Sequence, residues 1–155
     1  MTIVSAICNS FKQEILVEGH NFTNGTDAFK IALYSSDSAT LSKSTTAYTA
    51  PSDGTADPTN TYEVTSTSSG YTTGGNALTS TTPVLSGDTA CCKFADTSWG
   101  SSASFTARGC LIYNSTNANK AVCAINFGSD KTVTSGTFTI QFPAQTAGNA
   151  IIQIA

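Results

Sequence analysis

Apolar and polar side chains alternate strictly over the last third of the chain. In Thr137–Phe142, Phe138, Ile140 and Phe142 fall on one side while Thr137, Thr139 and Gln141 fall on the other, the period-2 signature of a strand with one buried face. Similar runs cover Ser104–Tyr113 and Lys120–Phe127, and a stub, Ile151–Ile154, closes the sequence. The polar stretches Asn114–Asn119 and Gly128–Lys131 between them predict the turns of a β-meander.

Upstream, Phe29, Ile31 and Leu33 alternate with Lys30 and Ala32 and predict a core strand ending at Tyr34. Tyr62 and Val64 begin a short run, and Leu78–Leu85 and Cys91–Ala95 read as further strands, with turns at Asn24-Gly25, Ser69-Gly70 and Gly74-Gly75. One helix is expected: Ser10 with Gln13 makes a capping-box pattern, Phe11, Ile15 and Leu16 give an apolar stripe, and Gly19 supplies a stop. Ile15, Leu16 and Val17 also suit a strand. Between Ser35 and Thr61 the chain is Ser, Thr, Asp, Gly and Pro, with Pro51 and Pro58 bracketing Asp53-Gly54, and predicts a long polar loop. The pattern predicts an all-β fold, a β-sandwich or jelly roll of roughly eight strands with one short N-terminal helix. Residues 1–9 are expected to form an N-terminal arm and residues 10–155 a single domain. Its expected core comprises Phe29, Ile31, Leu33, Phe94, Trp99, Phe105, Leu111, Ile125, Phe127, Phe138, Ile140, Phe142 and Ile152.

Charge narrows the function classes. Only 11% of the 155 residues are charged, and seven basic against ten acidic side chains give a net charge of −3. No Lys/Arg cluster exists to neutralise a row of phosphates, so nucleic acid is not an expected partner. Lys12 and Glu14 interrupt the apolar start too soon for a signal peptide or a membrane span. Synthesis in the cytoplasm and no membrane partner are expected. The five cysteines, Cys8, Cys91, Cys92, Cys110 and Cys123, include no CxxC pair and no His-supported metal spacing. They predict free thiols, with Cys110 and Cys123 buried as small hydrophobes and a bridge between them the alternative outside the cell.

No catalytic constellation emerges. His20 is the only histidine and stands near no nucleophile elbow. Asp53, Asp57 and Asp88 lack calcium-loop spacing and read as turn residues. Glu14 and Glu18, four apart, read as a solvated helix face. Neither a cofactor nor a metal is expected. Asn21-Phe22-Thr23, Asn24-Gly25-Thr26 and Asn114-Ser115-Thr116 match the glycosylation pattern, as chance allows in a chain so rich in Ser, Thr and Asn. Tyr48, Tyr62 and Tyr71 fall in or near loops, where they suit either sugar stacking or a protein interface. The apolar start, with Ile3, Val4 and Ile7, is expected to bury itself against a partner.

Five segments together carry a resemblance: Phe11-Lys-Gln-Glu-Ile15, Ala28-Phe-Lys-Ile-Ala-Leu-Tyr34, Phe105-Thr-Ala-Arg-Gly109, Leu111-Ile-Tyr-Asn-Ser-Thr116 and Phe127-Gly-Ser-Asp-Lys131. The chain resembles small virion structural proteins of tailed bacteriophages. That resemblance implies a capsid cement or decoration protein that stabilises the shell of major capsid protein as a homo-oligomer, expected to be a trimer, on the virion surface. A tail, baseplate or fibre component contacting host carbohydrate is the alternative. Cys91-Cys92 and Cys110 depart from the Val or Ala expected at those strand positions.

Overall fold

The computed structural model describes residues 3–36, 39–49, 62–65 and 70–155. Among these residues eight strands and one short helix follow in the order β1 (Ala6–Ile7), α1 (Asn9–Glu14), a 3-10 turn (Ile15–Val17), β2 (Phe29–Tyr34), β3 (Asn76–Leu78), β4 (Val84–Ser86), β5 (Thr89–Cys92), β6 (Thr97–Asn114), β7 (Lys120–Ile140) and β8 (Ile152–Ile154). They form two antiparallel sheets, a five-stranded one ordered β1-β7-β6-β2-β3 and a three-stranded one ordered β4-β5-β8. The all-β architecture with one short helix is therefore the one the alternation predicts.

The five-stranded sheet is covered on both faces. Phe29 lies opposite Asn114, Ile31 opposite Ile112 and Leu33 opposite Cys110, and residues directly opposite share a face. On this face Phe29 stacks on Phe22 at 4.5 Å and meets Phe94, which in turn meets Phe142. Phe94, Cys92 and Ile152 bring the three-stranded sheet into the same core. Ala32, Tyr34 and Tyr113 occupy the other face, where Tyr48 stacks on Tyr113 at 4.4 Å. Double coverage explains why β2 is buried at every position but Lys30, instead of alternating. Each fully buried aliphatic or aromatic side chain here stabilises the fold by about 1.5–3 kcal/mol.

β6 and β7 build one long hairpin around the turn expected at Asn114–Asn119. Unbent, the 18 residues of β6 would run about 60 Å, against a radius of gyration of about 15 Å for a compact chain of this length. Bulges resolve the mismatch. Gly109 faces Asn126 and Ala107 faces Lys131, so Phe127–Asp130 leave the ladder opposite a single residue of β6. The turn expected at Gly128–Lys131 is thus an excursion that bends the strand without reversing it, and two predicted strands are one. Phe138 and Ile140 remain on the inner side, half-buried like Ile125 and Phe127, while the other expected core residues are buried.

Four expectations are corrected. Residues 3–9 are no detached arm: Ala6 and Ile7 pair with Ala124 and Cys123, and Ile3 is buried over Gly109, where a Cβ would stand 2.8 Å from Ile3 Cδ1. The capping box does not form, since Cys8 occupies the N-cap and the Ser10 hydroxyl is buried without a partner. Glu18, not Gly19, takes the left-handed position that ends the helical stretch; Gly19 is needed for close approach, its N–H reaching Glu14 O at 2.7 Å. Leu16 is 83% exposed and outside the apolar stripe. The expected loop at Ser35–Thr61 lies partly outside the described residues, including Pro51, Asp53, Asp57 and Pro58. Its described part is pinned by buried Ala39 and Leu41 and by the bridge of Ala47 to Lys120.

Candidate functional site

Two buried polar constellations stand on opposite faces of the five-stranded sheet. The first centres on Glu63, which the sequence did not single out. Beyond β3, residues 62–64 take over the outer edge of β2: Ser35 N–H donates to Tyr62 O and Val64 N–H to Leu33 O, both at 2.8 Å. Glu63 then points inward at 4% exposure. Its Oε1 accepts from the Tyr71 hydroxyl at 2.7 Å and from Gly74 N–H at 2.6 Å, and its Oε2 accepts from the Tyr48 hydroxyl at 2.9 Å. Tyr113 donates to Gly74 O at 2.8 Å. Burial pushes the Glu63 carboxyl above its ordinary value, although the three donors pull the other way. Burial and the neighbouring Glu63 raise Tyr48, Tyr71 and Tyr113 far enough that all three remain protonated donors.

Gly74 and Gly75 make this geometry possible. Both adopt positive φ, +88° and +73°, and a Cβ on Gly75 would lie 1.7 Å from Ile31 O. The turn therefore lies flat on β2, and its first amide meets the carboxylate.

The second constellation gathers at the hairpin turn. His20 donates from Nε2 to Glu14 Oε2 at 2.8 Å, and Glu14 Oε1 lies 3.6 Å from Lys120 Nζ. Asn114 is fully buried. Its Oδ1 accepts the N–H groups of Thr116 and Asn117, which fixes the amide so that Nδ2 faces both Asp27 Oδ2 at 2.7 Å and His20 Nδ1 at 3.2 Å. His20 Nδ1 is consequently an acceptor, which leaves Nε2 as the N–H that donates to Glu14. Glu14 is thus no solvated face residue but the partner of this histidine. No hydroxyl or thiol stands at His20 as a nucleophile among these bonds, and its side chain is wholly buried.

Of the residues expected to meet a partner, Ile3, Tyr48 and Tyr71 are buried inside the chain, and Ile7 and Tyr62 are half-buried against the core. Only Val4, at 49%, is exposed. Ile3 is needed over Gly109, and the two tyrosines are spent on Glu63, so none of the three is free to contact a partner or stack on a sugar. All five cysteines are free and buried. Burial raises the Cys8 thiol to about 11 and those of Cys92 and Cys123 to about 12, with Cys110 also well above the usual range. Among the described residues no His, Cys, Asp and Glu group is placed to hold a metal ion. No described helix is long and apolar enough to cross a membrane.

Grooves of mixed lining, of about 490 and 300 Å³, lie beside Glu18, His20 and Asn21 and beside Asp27, Ser80 and Thr116, and two others are apolar. One, of about 510 Å³, runs along β7 between Ile125, Phe127, Phe138, Ile140 and Pro143, with Lys131 at its rim. A second, of about 390 Å³, lies between the helix and β8, lined by Phe11, Lys12, Ile15, Leu16, Ile152 and Ile154. Their linings suit hydrocarbon contact with another macromolecule more than bond-making chemistry. The chain matches no protein-family model, no curated protein and no solved structure.

Proposed function

We propose that this chain is a structural protein of a bacteriophage virion, a cement or decoration protein on the capsid surface that binds the major capsid protein and further copies of itself. The observation that carries the reading is how the polar constellations are used. Glu63 ties residues 62–64, the Gly74-Gly75 turn and Tyr48 to the sheet, and His20 and Asn114 tie the helix to the hairpin turn. Glu63, Glu14 and His20 are in this way occupied in holding the framework. With the five segments that resemble phage virion proteins and a surface of few charges, a binding role fits better than turnover. The carbohydrate-contacting tail component is the weaker reading because Tyr48 and Tyr71 offer no exposed stacking face.

The test is copy number in purified virions by quantitative mass spectrometry. Hundreds of copies, on the scale of the major capsid protein, support a cement protein. A dozen or fewer assign it to the tail, and absence from virions overturns the reading.

A further inference from the structure

Six large hydrophobic side chains are strongly exposed among the described residues, and five of them gather at the two edges of the small sheet: Val84 and Leu85 on β4, Ile154 on β8, and Leu16 and Val17 at the helix end beside β8. Register shows how they align. Leu85 and Ile154 lie opposite Ala90 from either side, so Leu85, Ala90 and Ile154 form one row across the sheet on one face. On that face the row ends in the groove that Leu16 and Ile154 share. Among the described residues β4 and β8 each pair only with β5, which leaves the outer backbone edge of both open there. An open edge beside an apolar groove takes an extended, uncharged strand.

This chain carries such a strand. We propose that β4 of one copy seats in the groove between β8 and the helix of the next, so that the three-stranded sheet continues from molecule to molecule. Leu85 of the incoming strand extends the row beyond Ile154 and covers Leu16. Charge agrees with this occupant. Lys12 lines the groove and makes no ion pair among the described residues. Asp88, exposed in the turn that joins β4 to β5, arrives with the donor strand and likewise has no cationic partner among the described residues. The contact is head-to-tail: donor and acceptor are different surfaces, and repetition closes a ring when the rotation permits. A ring of three agrees with the oligomer expected of the proposed virion role, but the inference stands apart from that role, because it concerns pure protein in solution and not copy number in virions.

Analytical ultracentrifugation of two variants tests it. Leu85→Glu removes the donor and Leu16→Glu the acceptor, and both side chains are exposed enough to be replaced without loss of the fold, which melting curves verify. Wild type is expected to form a closed oligomer and each variant alone to be monomeric. An equimolar mixture should form a one-to-one dimer and nothing larger, because one intact donor and one intact acceptor remain between the two chains. A wild type monomeric at every soluble concentration overturns the proposal. So do variants that assemble like wild type, or a mixture that remains monomeric.

Discussion

The Tyr71 hydroxyl donates to Glu63 Oε1 at 2.7 Å while its oxygen accepts the backbone N–H of Leu33 at 3.0 Å. Leu33 sits where the outer edge of β2 passes from β3 to residues 62–64, and its amide has no strand to meet there. One side chain therefore closes a gap in the ladder and anchors a buried carboxylate. An unmet amide and an unmet carboxylate would each cost about 1–3 kcal/mol.

Glu63 gives the fold a pH dependence of defined sign. Its folded pKa is raised above the ordinary value of 4.5, so the native state binds the proton more tightly than the unfolded chain. The contribution is fully present below the ordinary value and is lost as pH rises through the folded one. Melting temperature should therefore fall across that window. In Glu63→Gln, which keeps the volume and the acceptor facing Tyr71 and Gly74, this fall should flatten. Glu63→Ala strands three donors and should cost about 3 kcal/mol or more. An unchanged pH profile in Glu63→Gln would show that the carboxyl titrates alike in both states.

The turn glycines separate two kinds of strain. Gly25, φ +82°, has nothing within 4 Å of a built Cβ, whereas Gly75 would drive one into Ile31 O. Gly25→Ala should cost about 1 kcal/mol, the penalty of a left-handed L-residue. Gly75→Ala must push the turn off β2, breaking the Gly74 contact to Glu63, and should cost at least about 3 kcal/mol. Urea denaturation of both variants measures the difference, and equal losses would refute it.

The thiols should be inert in the native state. At pH 8 a thiol with a pKa near 11, as at Cys8, is ionised to roughly one part in a thousand, and the thiolate is the reactive form. Iodoacetamide should leave native protein almost unmodified by mass and label all five cysteines in denaturant. Rapid native labelling at Cys8, Cys92, Cys110 or Cys123 would contradict the burial of that residue.

The strands of the core were legible because alternation is local: Phe29, Ile31 and Leu33, or Phe138, Ile140 and Phe142, announce a face without knowledge of the rest. Glu63 was not legible. A single carboxylate between Tyr62 and Val64 has the pattern of a strand's outer side, and its inward direction is set by a second covering layer that period-2 reasoning does not contain. Tyr48 and Tyr71 read as loop tyrosines facing a sugar or a partner, whereas the signal that makes them internal is their convergence on that carboxylate across sequence separations of 15 and 8 residues. Asn114 was hidden in the same way, counted as turn polarity although it is fully buried. The excursion at Phe127–Asp130 looked like a reversal because Gly and Asp mark both turns and bulges.

Residues 3–8 bear the most direct test of the corrected N-terminus. Ile3 is 2% exposed, Cys8 is fully buried, and β1 completes the edge of the sheet at β7. Around them Val4 N–H donates to Leu41 O and Asn9 N–H to Lys43 O, so this segment also holds residues 41–43. Ile3→Ala should cost about 2–4 kcal/mol, the usual range for a buried large aliphatic side chain cut to a methyl. Val4→Ser, at a half-exposed position, should cost well under 1 kcal/mol. Removing residues 1–7 takes away Ile3, the β1 ladder and the anchor for Leu41 together, against a total stability of about 5–15 kcal/mol for a domain of this kind. The truncated chain should therefore be largely unfolded or melt far below wild type, read by circular dichroism. A truncated protein that melts like the full chain would restore the detached arm and show that β1 contributes nothing to the fold.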